Sequence, residues 1–184
     1  MDFLAAAPFV ERTRDWIDRV VIGLGLCPFA QAVFASGQIH YRVSAAANRE
    51  QLLHDLATEL AALMALPEKV RATTLLIHPR VLHAFADYND FLDDAEFVCT
   101  QLGLDDDVQL ASFHPQYQFA GTAPEQIDNF TNRSPFPMLH LLRQASVAAA
   151  RAEHRDIDGI PARNIATMQG LDPAEQQRLR AFRY

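Results

Sequence analysis

Apolar residues in this chain recur with two different periods. Between Phe9 and Gly23, Ile17, Val20, Val21 and Leu24 fall at i, i+3, i+4 and i+7, a single stripe on a first helix. Gly23, Gly25 and Cys27-Pro28 end it. Ile39, Tyr41 and Val43 alternate with His40 and Arg42, which predicts a half-exposed edge strand. Asn48 and Gln51 then form a capping pair, opening a helix that carries Leu53, Leu56, Ala57, Leu60 and Met64 and stops before Pro67.

Thr73–Ile77 is a continuous β-branched and aliphatic run, as expected of a strand buried on both faces. Pro79 suits the first position of a third helix, which contains Val81, Leu82, Phe85, Tyr88, Phe91, Leu92, Ala95 and Val98 and ends at Gly103. Val108–Phe113 is a third strand. An irregular segment from His114 to Ser134 follows, too rich in Tyr117, Phe119, Ile127 and Phe130 for simple disorder, with Thr122 and Glu125 placed to cap one turn. Ser134-Pro135 opens an Ala/Leu-rich helix through Arg151, and Asp172-Pro173 opens a last, polar helix.

One helix between successive strands returns the chain and makes them parallel. Right-handed crossovers put the second and third helices on one face, leaving the first helix and the Pro135–Arg151 helix to cover the other. The expected fold is α/β: a three-layer α/β/α sandwich on a small, mainly parallel sheet, with residues 1–184 forming one domain.

Composition narrows the partners. The chain is 49% hydrophobic and 21% charged, with a formal net charge of -7, which argues against a nucleic-acid partner. The apolar run Val20–Ala30 is too short and too rich in Gly and Pro to cross a membrane, and Asp2 stands where a leader carries basic residues. Cys27 and Cys99 form no CxxC pattern, so a reducing cytoplasm is the expected location.

Two strands end in the same dipeptide, His78-Pro79 and His114-Pro115. On neighbouring parallel strands both imidazoles would stand at the edge where open α/β sheets bind ligands. His78 at a helix N-cap would tend to be neutral. Each histidine could equally satisfy local backbone groups. Asn132, Arg133 and Ser134 before Pro135 would form an anion site at a helix start, or an ordinary cap with a solvated arginine. His140 would share a helical face with Phe136 and Arg143, pointing to the sheet edge or into the core. Cys27 is either a nucleophile beside a histidine or a buried, inert thiol.

No HExxH, GxGxxG or GxxxxGK[ST] occurs, so a nucleotide cofactor has no positive signal. A divalent transition metal held by His78, His114 and His140 is an alternative.

Several segments resemble the domain-of-unknown-function family numbered 1415. They include Gly25–Ala30, Thr73–Pro79, Tyr88–Leu92, Ala111–Pro115, Tyr117–Thr122, Thr131–Pro135, Leu139–Arg143 and Ile160-Pro161 with Arg163-Asn164. The resemblance spans nearly the whole chain and implies a bacterial and plant family, with no mechanism to carry over. The residues themselves point to an enzyme acting on a small anionic molecule at the C-terminal sheet edge. His114 would be its general acid/base with His78 beside it, Asn132, Arg133, Ser134, His140 and Arg143 would bind the substrate, and Tyr117 and the loop to Phe130 would close the site. Cys27 would be a further catalytic participant. A non-catalytic binding module is the remaining alternative.

Overall fold

The computed structural model describes residues 3–153 and 159–181. Met1 and Asp2, on which the absence of a leader was argued, lie outside them. The chain begins with α1 (Phe3–Trp16), which continues into a π-helix (Ile17–Ile22) rather than ending as one regular helix at Gly23. The wider turn shows in its hydrogen bonds: Gly23 N–H reaches the Asp18 carbonyl at 2.9 Å and Leu26 N–H reaches Val21 at 2.9 Å. A Cβ on Gly23 would run into the Arg19 carbonyl oxygen, so this position has no room for a side chain. A short α2 (Ala30–Ala35) leads to the edge strand β1 (Ile39–Val43).

The Asn48 side chain accepts from Gln51 N–H at 2.9 Å, and the Gln51 side chain accepts from Ala47 N–H at 2.9 Å. This pair opens α3 (Arg49–Ala65) as the spacing anticipates. Leu52, Leu56, Leu60 and Leu63 make its buried stripe. β2 (Thr73–Ile77) is buried throughout.

Helix α4 (Phe85–Gln101) starts six residues later than Pro79 suggests. Leu82 has φ of 60°, a left-handed conformation that breaks any helix begun at Pro79. His78 is therefore not at a helix N-terminus. Strand β3 (Val108–Phe113) follows as expected.

The largest departure lies in the segment expected to be helical from Pro135 to Arg151. Met138–Arg143 is a strand, β4, and only Gln144–Glu153 is helix (α5). An unbroken apolar run reads alike as a buried helix or a buried strand, and here pairing on both sides decides for strand. The sheet order is β1-β2-β4-β3. β1 and β2 are parallel, while β4 is antiparallel to both neighbours, so the sheet is mixed rather than mainly parallel. β3 still points the same way as β1 and β2, and the two His-Pro corners lie at the same edge with β4 between them. The fold is completed by α6 (Ile160–Gly170) and α7 (Pro173–Ala181), the latter opened by a reciprocal pair between Asp172 and Glu175.

Adjacent strand residues face opposite ways, and two core clusters divide accordingly. Leu76, Leu139 and Leu141 pack with α3 and α4, whereas Leu75, Ile77 and Met138 pack with Trp16, Ile17, Val20, Phe130 and Met168. The second face is thus covered by the π-helix and α6, in place of the helix expected from Pro135.

Replacing Gly23 by alanine should force the Arg19 carbonyl aside and destabilise the fold by about 1–3 kcal/mol, the range for overpacking. Urea unfolding of the Gly23→Ala variant measures it; an unchanged midpoint would show that the π-turn relaxes freely.

Candidate functional site

At the shared edge, one strand separates the two His-Pro corners, a gap of roughly 9–10 Å between β2 and β3. Tyr88 of α4 fills it. Its ring stacks on His78 at 5.7 Å and meets His114 at 5.0 Å between centroids. Its hydroxyl donates to the Met138 carbonyl at 2.8 Å and accepts from Phe113 N–H at 3.1 Å, joining β4 to β3 where their ladder ends. Phe85 lies against His114 and Tyr117, and Tyr117 against Phe119, so the stack extends into the following loop.

The hydrogen-bond partners assign the tautomers. Nδ1 of His114 accepts from Gln116 N–H at 3.0 Å, so Nε2–H donates to the Leu82 carbonyl at 3.1 Å. Both nitrogens of His114 are engaged. His78 donates from Nδ1 to the Val81 carbonyl at 3.2 Å, which leaves Nε2 as a lone pair, buried and without a partner among the described residues. The two imidazoles thereby hold the 79–84 turn, including the left-handed Leu82, from inside. Burial keeps both neutral: it lowers the His78 pKa from 6.5 to about 4, helped by nearby His114, and lowers that of His114. Burial likewise raises the Tyr88 phenol.

His140 is elsewhere. Opposite Leu75 and Ala111 in mid-sheet, it faces away from the two corner histidines. The Thr73 hydroxyl donates to the Leu141 carbonyl at 2.6 Å, so His140 Nε2 donates to that hydroxyl at 2.7 Å. The expected helical face with Phe136 and Arg143 does not exist, because His140 is on a strand. Burial lowers its pKa to about 4. Among the described residues no three His, Cys, Asp or Glu side chains are grouped to hold a metal. Arg143 pairs with Val108, at the end of β3 remote from His114, and its guanidinium caps α3 through the Leu63 and Leu66 carbonyls at 2.5 and 2.6 Å.

The loop from His114 to Ser134 folds on itself around a 3₁₀ turn (Ile127–Thr131). Asn129, fully buried, accepts from Phe119 N–H and the Thr122 hydroxyl and donates to the Ala123 carbonyl. Thr122 thus bonds Asn129 rather than capping a turn with Glu125. Asn132 donates to the Ser112 carbonyl at 3.3 Å, and its own carbonyl accepts from His114 N–H. No helix starts at Ser134; its hydroxyl donates to Phe136 O at 2.7 Å, so the expected anion site at a helix N-terminus is absent.

Arg133 nevertheless draws a different site together. It is 93% buried, its exposure being 7%. Nε donates to the Tyr117 carbonyl at 3.1 Å and Nη2 to the Pro124 carbonyl at 2.5 Å, while the guanidinium lies 4.4 Å over the Phe130 ring. Nη1 has no partner among the described residues, and neither does the indole Nε1–H of Trp16, which is 4% exposed. Both residues line one cavity of about 20 Å³, with Ser134, Phe130 and Pro115, the residue after His114. That volume holds one water-sized group. Trp16, the single tryptophan, and Tyr88 were not anticipated as site residues; a π-helix start and a helix-to-strand tie leave no local pattern to find them by.

Cys27 is half-buried near α6, where Asn164 donates to the Leu26 carbonyl at 2.8 Å. Burial raises its thiol pKa, opposed by nearby backbone N–H groups of Phe29 and Ala30, and no imidazole of the described residues contributes.

The family described as "Protein of unknown function (DUF1415)" matches residues 8–178, and the chain belongs to it. No curated protein and no solved structure matches the chain.

Neutral burial makes a pH prediction. The folded pKa of His78 and His140 lies below the unfolded 6.5, so between about 6.5 and 4 the unfolded chain binds more protons. The contribution to stability is complete above pH 6.5 and is lost as pH falls toward 4. Urea midpoints should therefore fall less steeply over this window in His78→Gln and His140→Gln than in the parent; equal steepness would mean that these imidazoles are not held neutral.

Proposed function

We propose that the protein binds a small anionic molecule at the cavity between Arg133 and Trp16. One observation carries this: two buried N–H donors, one of them cationic, border the same cavity without a partner among the described residues. Leaving such donors unsatisfied costs about 1–3 kcal/mol each, and more for a charged group. The described partners of Arg133 are carbonyls and a ring, so its charge stays uncompensated. A ligand oxygen accepting from both donors removes that cost and supplies the missing negative charge.

The enzyme reading adds an imidazole base at this edge. His78 Nε2 keeps an unengaged lone pair that His114 lacks, but His78 is fully buried and lines neither cavity, so the base reading is the weaker part of the proposal. A metal bound by all three histidines gains no support from His140, which lies on the opposite sheet face. We also read the chain as one three-layer α/β/α domain; the core clusters on opposite sheet faces favour that layering. Two free cysteines favour the reducing cytoplasm, and the net charge of -7 favours a partner other than nucleic acid. No helix among the described residues is long and apolar enough to cross a membrane.

Trp16, as the sole indole, reports on the cavity directly. Titration with acetate should change its emission. By calorimetry, Trp16→Phe, which keeps the ring and removes the N–H, should bind about 2–10 times more weakly, as the loss of one hydrogen bond implies. Arg133→Met should weaken binding by about 10–100 times. Full affinity in Trp16→Phe would rule the site out.

A further inference from the structure

A second, larger cavity adjoins the first. It measures about 580 Å³ and lies between α1, the π-helix and α7. Val20 and Leu179 line both cavities, so the two spaces are neighbours across these side chains. Leu24 and Leu171 extend the apolar lining of the larger one, and exposed arginines and two acids surround it. The π-helix supplies the common wall: Trp16 caps its start and Val20 stands within it. Such helices are rare and occur most often at functional sites.

We infer that the two cavities are one site for an amphiphilic monocarboxylate, its carboxylate at Arg133 and Trp16 and its apolar stem along Val20, Leu24, Leu171 and Leu179. This rests on the anion reading above and goes further in naming the ligand class. The inner cavity admits a single oxygen-sized group, which suits one oxygen of a flat carboxylate and is too small for the three free oxygens of a phosphate monoester. The outer cavity offers a stem both apolar contact and an open end. The charges around it have both signs and three of the side chains, Arg12, Arg19 and Arg178, are exposed, so the outer end of the ligand can reach water. A carboxylate with no stem would leave the apolar lining wet.

The experiment is a calorimetric comparison of acetate, butyrate, octanoate and octanol, with the full chain and with Trp16→Phe and Leu171→Asn. Leu171 lines only the outer cavity. Octanoate should bind at least about tenfold more tightly than acetate, since burial of two methylenes suffices for that factor. Leu171→Asn should remove about tenfold from octanoate and leave acetate unchanged, with its urea midpoint confirming the fold. Octanol should bind more weakly than octanoate. If acetate and octanoate bind equally and both need the Trp16 N–H, the stem inference is overturned and the anion reading stands. If octanol matches octanoate and Trp16→Phe changes neither, the outer cavity takes apolar molecules without a head group, and both readings fall. If no compound binds, the inner cavity holds water alone and both fall as well.

Discussion

Strand β4 carries the sheet. Met138–Arg143 pairs along its whole length with β3, and Met138–Leu142 pairs with β2 on the other side, antiparallel to each. Without it, β3 would have no partner, and the buried backbone groups of β2 would lose half of theirs, a cost that buried chains rarely bear. Met138, Leu139 and Leu141 are fully enclosed and divide between the two core clusters. One strand therefore closes the hydrogen-bond ladder and links both halves of the core.

Its insertion also shapes the candidate site. β4 pushes the two His-Pro corners apart, and Tyr88 occupies the gap with its ring between the imidazoles and its hydroxyl on the backbone of both strands. The histidines then donate to successive carbonyls, Val81 and Leu82, and hold a left-handed leucine in place. That arrangement commits three of the four imidazole nitrogens to structure. The remaining one, Nε2 of His78, is a base in chemical form but is sealed by its neighbours.

Arg133 shows the same division within one side chain. Two of its nitrogens fasten the 115–124 segment through the Tyr117 and Pro124 carbonyls, while the third borders the cavity beside the Trp16 indole. A guanidinium has donors in a fixed plane, so anchoring two of them aims the third. At Arg133 the unpartnered nitrogen is consequently not separable from the two that hold the loop, whereas at Trp16 the ring packs against Phe113 and the N–H has no partner among the described residues.

Much of the fold was legible because local chemistry governs it. The Asn48–Gln51 cap, the helix start at Asp172-Pro173, the strand at Thr73–Ile77 and the ordered, aromatic loop after His114 all follow from local side-chain chemistry. That His114-Pro115 and Asn132-Arg133 come together at one sheet edge was legible too, from where polar residues end apolar runs. The sequence could not reveal that Met138–Leu142 is a strand, since five apolar or half-apolar residues in a row satisfy either period, and only partners on both sides choose between them. From that choice followed the mixed sheet, the separation of His140 from the other histidines and the assignment of Arg143 to a helix end. Trp16 joins Arg133 across 117 positions of chain. That meeting depends on the second face of the sheet being covered by the π-helix, which is a matter of packing and not of any local pattern.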